Sequence, residues 1–221
     1  MIFDHLKGRR ILVLAGHTNK DTGTTELATG GWSHYDSESG VNLDLAMLLA
    51  HDLRVHSREP GEETDKGCQV WVGHGSWERR AKLAQVYKPD AVIEIHNNAY
   101  VDDTVRGHEV WHGGDDLSKD LAECIVDCVS QGSLIPSRGV HDMYAEDNPN
   151  RRLFEEVPTR PLVLVECGFL TNQEDCELLT NDGVQAIIAL KIGLGIDAFF
   201  MPTSERSEPG RGGGADSPDN D

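Results

Sequence analysis

The chain has 221 residues, enough for one domain with a sizeable core and too few for two full domains. Twenty Lys and Arg against 38 Asp and Glu leave a net charge of −18, which repels phosphate backbones and anionic membrane surfaces and argues against nucleic-acid binding. No unbroken run of 18 apolar residues occurs, so no membrane insertion is expected.

The start, "MIFDHLKGRRILVLAGHTN", places basic residues ahead of an apolar run, but "ILVLAG" is too short for the apolar part of a signal peptide. It reads instead as a first β-strand, residues 11–16. A helical pattern follows at 41–53, then a strand at 68–73, a helix at 77–87 and a strand at 91–95. Beyond these come a helix at 117–130, a strand at 161–166, and helices at 173–180 and 184–199. Continuous β-branched runs mark strands covered on both faces. Their alternation with helices predicts a single α/β domain with a mostly parallel central sheet flanked by helices.

Residues 17–39 and 132–160 are rich in Gly, Asn, Asp and Ser and read as long surface loops, which in a compact domain are usually functional. The domain is expected to span residues 1–202. Residues 203–221, "TSERSEPGRGGGADSPDND", have no apolar periodicity to offset their ordering entropy and read as a disordered tail.

The five cysteines, at 68, 124, 128, 167 and 176, form no C-x-x-C pair and no disulfide framework. Cys124 and Cys128 fall on the same apolar helical stripe as Leu117, Leu121, Ile125 and Val129, so they read as core packing rather than ligands.

Three apolar strands end in a reactive side chain: "ILVLAG" in His17, "AVIEI" in His96 and "PLVLV" in Glu166. Ligand sites in open α/β sheets lie beyond the carboxyl ends of the strands, so these groups are expected to converge on one rim. Two imidazoles and a carboxylate are the ligand types of a catalytic zinc site. Glu38 stands just before the buried helix 41–53, where a helix N-terminus suits an anion.

In this order, "AGHTNKDTG", the glutamate ahead of "VNLDLA", "IEIHNNA" and "PLVLVECGFLTNQEDCELL" resemble the zinc-dependent N-acetylmuramoyl-L-alanine amidases of the type 3 family. The resemblance covers most of residues 10–199. It implies that His17, Glu38 and His96 hold Zn2+, that Glu166 is the catalytic general base and that Asn98 lines the site. The implied substrate is peptidoglycan, cut at the amide between the lactyl group of N-acetylmuramic acid and L-alanine. Three features depart from the family pattern. Thr18 and Asn19 stand where Gly-Gly is common; the interval from His17 to Glu38 is long, leaving Glu26 as a rival ligand; and Glu94 replaces a small polar residue two before His96. Glu94 faces the same side of its strand as His96, where it either supports the metal or competes for it.

Other residues read more plainly. His74, in "VGHGSW", is the main rival to His17 and is expected on the rim; His108 and His112 flank a short strand, "EVW", and are expected in loops at the opposite edge. Cys167 should face away from Glu166 by strand alternation. The whole reading is a monomeric cell-wall amidase, made in the cytoplasm and acting on the wall, as a phage-type lysis enzyme or as a fragment of a longer bacterial protein. A zinc carboxypeptidase or amidohydrolase on soluble peptides, and a non-catalytic wall-binding module, are the competing readings.

Overall fold

The computed structural model describes residues 2–18, 23–25, 27–28, 35–59, 61–63, 66–146, 148, 151–157, 159, 161–202 and 204–205. Glu26 and nearly all of the expected tail lie outside these described residues. The elements run β1 (Arg10–Ala15), α1 (Glu38–His56), β2 (Gln69–His74), α2 (Trp77–Tyr87), β3 (Ala91–Asn98), β4 (His108–His112), α3 (Asp116–Ser130), β5 (Ser137–Asp142), α4 (Arg151–Glu156), β6 (Leu162–Phe169), α5 (Gln173–Leu179) and α6 (Asp182–Phe200). The six strands form one sheet in the order β2-β1-β3-β6-β4-β5. All neighbouring pairs are parallel except β4 and β6, which run antiparallel. The expected α/β fold with a mostly parallel sheet is therefore present.

Period-two alternation divides the strands between two cores. Ile11, Val13 and Ala15 of β1, Ile93 and Ile95 of β3, and Val163 and Val165 of β6 meet the apolar faces of α1, α3 and α6. Leu12, Leu14, Val92, Leu162 and Leu164 face the other way, onto Ala81 and Ala84 of α2 and Leu153 and Phe154 of α4. Each fully buried Leu, Ile, Val or Phe contributes roughly 1.5–3 kcal/mol relative to exposure, so both faces of the sheet are held chiefly by burial. Side chains close the helix starts: Asp115 accepts from Ser118 N at 2.9 Å ahead of α3, and Asn172 accepts from Asp175 N at 3.1 Å ahead of α5.

The structure corrects the loop expected at 132–160, which contains β5 and α4. β5, "SRGVHD", is the edge strand and is at most half-buried, so it needs no apolar run for a sequence pattern to detect. In α4 only Leu153 and Phe154 are buried. His108 and His112 are likewise strand residues, not loop residues. Among the described residues one helix, α6, is long and apolar enough to cross a membrane, although charges interrupt its apolar run. Its Ile188, Ala189, Ile192, Ile196 and Phe199 are part of the core shared with α1 and α3.

Candidate active site

The apolar part of β3 ends at Ile95, but the strand continues through His96, Asn97 and Asn98 before a register irregularity. β6 continues past Glu166 to Phe169. His96 and Glu166 are thereby register partners on adjacent strands, and paired residues project to the same side of a sheet. β1 delivers His17 two residues beyond its end, with φ 62°. A non-glycine residue there costs about 1–2 kcal/mol, which the surrounding contacts must sustain. Gly16 is required by its neighbour: a Cβ at this position would lie 2.3 Å from His96 Nε2.

Glu38 is the first residue of α1 and is 4% exposed. Its Oε2 accepts from Thr24 N at 3.2 Å, and its Oε1 accepts from Asn42 Nδ2 at 3.2 Å and Asn97 N at 3.3 Å. Asn97 Nδ2 in turn donates to Asn42 Oδ1 at 2.7 Å, so buried amides fix this end of α1 against β3. Both imidazoles reach the same carboxylate oxygen: His17 Nε2 lies 3.3 Å and His96 Nδ1 3.1 Å from Glu38 Oε1. The two rings meet edge to face with centroids 4.9 Å apart.

One donor atom from each of His17, Glu38 and His96 lies within 4.8 Å of the others. Zinc bonds of about 2.0–2.2 Å in a tetrahedron separate ligand atoms by roughly 3.3–3.6 Å, close to the spacing seen to Glu38. The donor set is also that of a catalytic zinc site with three protein ligands. The residues therefore fit a zinc ion in both chemistry and spacing.

Burial dominates the electrostatics of Glu38 and would raise its pKa, but hydrogen bonds and charge from His17 and His96 outweigh burial and hold the carboxyl below its usual range. Burial works against a charged His96, yet hydrogen bonding to Glu38 and Glu94 pushes its pKa up to about 10. Glu166 Oε2 is buried and has no such donor among the described residues. Burial of Glu166, only partly offset by His96 and reinforced by Glu38, Glu109 and Glu94, pushes its pKa up to about 8.

Glu94 has two partners on its strand's face. It forms a buried ion pair with Arg80 of α2, and its Oε1 lies 3.3 Å from His96 Nε2, on the side of the ring away from Glu38. Arg80 Nη1 also donates to Ala15 O at 3.3 Å, tying α2 to the end of β1. Sequence reading missed Arg80 because it sits among the polar residues of "WERRAKLAQVY", where a charged run ordinarily means a solvated face.

Asn98 donates to Glu109 Oε1 at 3.0 Å, and Glu109 is the register partner of Glu166 on β4. Arg138 Nε donates to Glu109 Oε2 at 2.6 Å, and Trp111 Nε1 donates to Glu109 Oε1 at 3.1 Å. Neither Glu109 nor Arg138 carried a sequence signal, because β4 and β5 meet beside β6 only in the folded sheet. His74 Nε2 is 3.2 Å from Ser39 Oγ, and His74 is not part of the His17–Glu38–His96 group. His108 faces Ile135 O and Ser130 Oγ, while His112 Nδ1 accepts from Gly114 N. All five cysteines are free thiols, and Cys167 packs into the core on the α1, α3 and α6 side.

An α/β domain that gathers two imidazoles and two buried acids at the strand-end rim of its sheet presents the side-chain types from which zinc hydrolases build their sites. Residues 11–198 match the family model described as N-acetylmuramoyl-L-alanine amidase, so the chain belongs to that family and has its amide-hydrolase activity. The fold agrees. An N-acetylmuramoyl-L-alanine amidase from Clostridium difficile 630 is 26% identical, with a TM-score of 0.71 over 86% of this chain and 95% of that one. The catalytic domain of the amidase CwlV from Bacillus (Paenibacillus) polymyxa var. colistinus is 21% identical, with a TM-score of 0.68 over 85% of this chain and 96% of that one. The uncharacterized protein YqiI of Bacillus subtilis (strain 168) is 24% identical over 88% of this chain and 86% of its own length.

Proposed function

We propose that this amidase cuts the bond between the lactyl group of N-acetylmuramic acid and L-alanine in peptidoglycan, with zinc held by His17, Glu38 and His96 and with Glu166 as general base. The observation that carries this reading is the meeting of three donor atoms within 4.8 Å beside an acid in register with one of the donors. A zinc ion held there would supply Lewis acidity for the scissile carbonyl and for the nucleophilic water.

The chain's own residues supply the rest. Glu166, which has no partner at Oε2 among the described residues, accepts a proton from the attacking water once the charge of the bound metal holds it in its ionised form. It returns that proton to the alanine nitrogen as the C–N bond breaks, and the acid's own proton follows, leaving a lactyl carboxylate and an alanine ammonium group. A positioned proton transfer of this kind contributes about 10²- to 10⁴-fold in rate. Asn98 lines the cleft beside Glu166, held by Glu109. Glu94 and Arg80 orient His96 from behind, as carboxylates do for metal-bound imidazoles generally.

The direct test is digestion of purified peptidoglycan by the zinc-loaded protein, followed by labelling of new amino termini. Newly exposed N-terminal alanine is the expected product. Release of peptides trimmed from their carboxyl ends instead would replace this reading with that of a carboxypeptidase.

A further inference from the structure

β4 and β5 pair in parallel, but the register slips at one place: His108 faces Ser137, whereas Glu109 faces Gly139. Arg138 is the extra residue of this bulge, and Gly139 takes φ 91°, a conformation that only glycine adopts readily. In a regular strand Arg138 and Gly139 would alternate between faces. The bulge instead re-aims Arg138 so that its Nε meets Glu109 Oε2 at 2.6 Å, and Glu109 is the register partner of Glu166. The result is a guanidinium fixed along one edge by a carboxylate that is 4% exposed, while the Arg138 side chain as a whole remains 40% exposed. Its guanidinium carbon Cζ lies over the Phe169 ring, 5.2 Å from the centroid. His141, stacked on Trp111, lies 3.8 Å from the same Glu109 oxygen.

A cation held this firmly next to a site rich in acids, on a chain of net charge −18, is placed to attract an anion. Glu38, Glu109 and Glu166 are buried at or beside the donor cluster, with Glu94 behind it already paired with Arg80, so a carboxylate entering there needs a counter-charge. The glycan side of the proposed substrate is neutral around the scissile bond; its carboxylates lie on the peptide side. Adjacent strands are about 4.8 Å apart, so the backbone of β5 stands roughly 10 Å from that of β6, and Arg138 leans back across this gap onto Glu109. An extended peptide advances about 3.3–3.6 Å per residue, which brings the residue after alanine within reach.

Resting on the amidase reading above, we propose that Arg138 binds the free α-carboxylate of the second residue of the stem peptide and makes the enzyme selective for stems in which that carboxylate is not amidated. Glu109 positions the guanidinium, its inner edge engaged and its outer nitrogens offered to the substrate.

Two synthetic muramoyl tripeptides test this, identical except for a carboxylate or a carboxamide on the second residue. The zinc-loaded wild-type protein should favour the acid by about 10- to 100-fold in kcat/KM, mostly through KM, as expected for a charge-assisted hydrogen bond. Arg138→Gln should narrow that ratio to within about twofold, and Arg138→Lys should keep part of it, because charge survives while the fixed fork is lost. Equal cleavage of both compounds by wild type overturns the proposal and leaves the amidase reading intact. Cleavage of neither overturns both. A purely structural role for Arg138, neutralising Glu109, would lower melting temperature and both rates together with the ratio unchanged, and that result also overturns it. The wild-type ratio requires no variant, so it decides the question even where Arg138→Gln folds poorly.

Discussion

His96 of β3 and Glu166 of β6 are direct partners across two parallel strands, although 70 residues separate them along the chain. The pairing puts an imidazole and an acid side by side on the α2 and α4 face. One of the two contributes to the donor cluster and the other does not, so the proposed roles can be separated by substitution.

Glu166→Gln should therefore retain zinc and lose about 10²- to 10⁴-fold in turnover, the range for removing a positioned proton acceptor. His96→Ala should lose the metal together with the activity. Zinc content by atomic absorption, read beside peptidoglycan digestion, separates the two. If Glu166→Gln digests peptidoglycan at the wild-type rate, the base lies elsewhere.

The same acid makes the zinc-stripped protein sensitive to pH. Burial raises the folded-state pKa of Glu166 to about 8, above its ordinary value of 4.5. Its stabilising contribution is present in full below the unfolded value and is lost as pH rises through about 8. Thermal melts of the stripped wild type should lose stability between about pH 5 and pH 9 more steeply than those of Glu166→Gln, which stays neutral throughout. Parallel melting curves for the two proteins would show that Glu166 is not held in its neutral form.

Arg80 and Glu94 form a buried pair, with side chains 10% and 2% exposed. Removing one partner of such a pair costs about 3–5 kcal/mol, because the other charge stays buried and uncompensated. Arg80→Ala should lower the melting temperature on the order of 10 °C, at roughly 2–4 °C per kcal/mol for a domain of this size. Arg80→Met combined with Glu94→Leu should recover a large part of that loss, since an apolar pair carries no unpaired charge. A loss under about 2 °C for Arg80→Ala would mean that water reaches the pair freely.

Gly16 leaves room for the His96 ring, and a methyl group there would stand 2.3 Å from Nε2. Gly16→Ala should shift the ring and weaken zinc binding by about tenfold or more, as loss of ligand-orienting contacts does. Competition against a chromogenic chelator measures this directly. Unchanged affinity would show that β1 and β3 part easily enough to admit the methyl group.

Much of this architecture is legible in the sequence. The apolar runs at 11–16, 91–95 and 161–166 correspond to β1, β3 and β6, and the helical pattern at 77–87 coincides with α2. These elements are covered on both faces or along a full stripe, so burial leaves a dense apolar signature. The polar end of β3, His96 to Asn98, and the charge and glycine that break the apolar run of β6 at Glu166 and Gly168 gave no such signature, and both strands run about three residues farther than the apolar pattern indicates. β5 was invisible for the same reason: an edge strand exposes one side to water and tolerates Ser, Arg, Gly, His and Asp.

By itself the sequence determined the apolar strands and helices that carry most of the core, and which reactive side chains stand where apolar runs stop. Those facts follow from local periodicity and from the cost of burying polar groups, both written within a few residues of each other. Only the tertiary structure decided that Glu94 is paired with Arg80, that Glu109 stands beside Glu166, and that a bulge turns Arg138 onto Glu109. Each of these depends on strand order and register, which arise from the packing of the whole sheet and leave no trace in the spacing of residues along one strand.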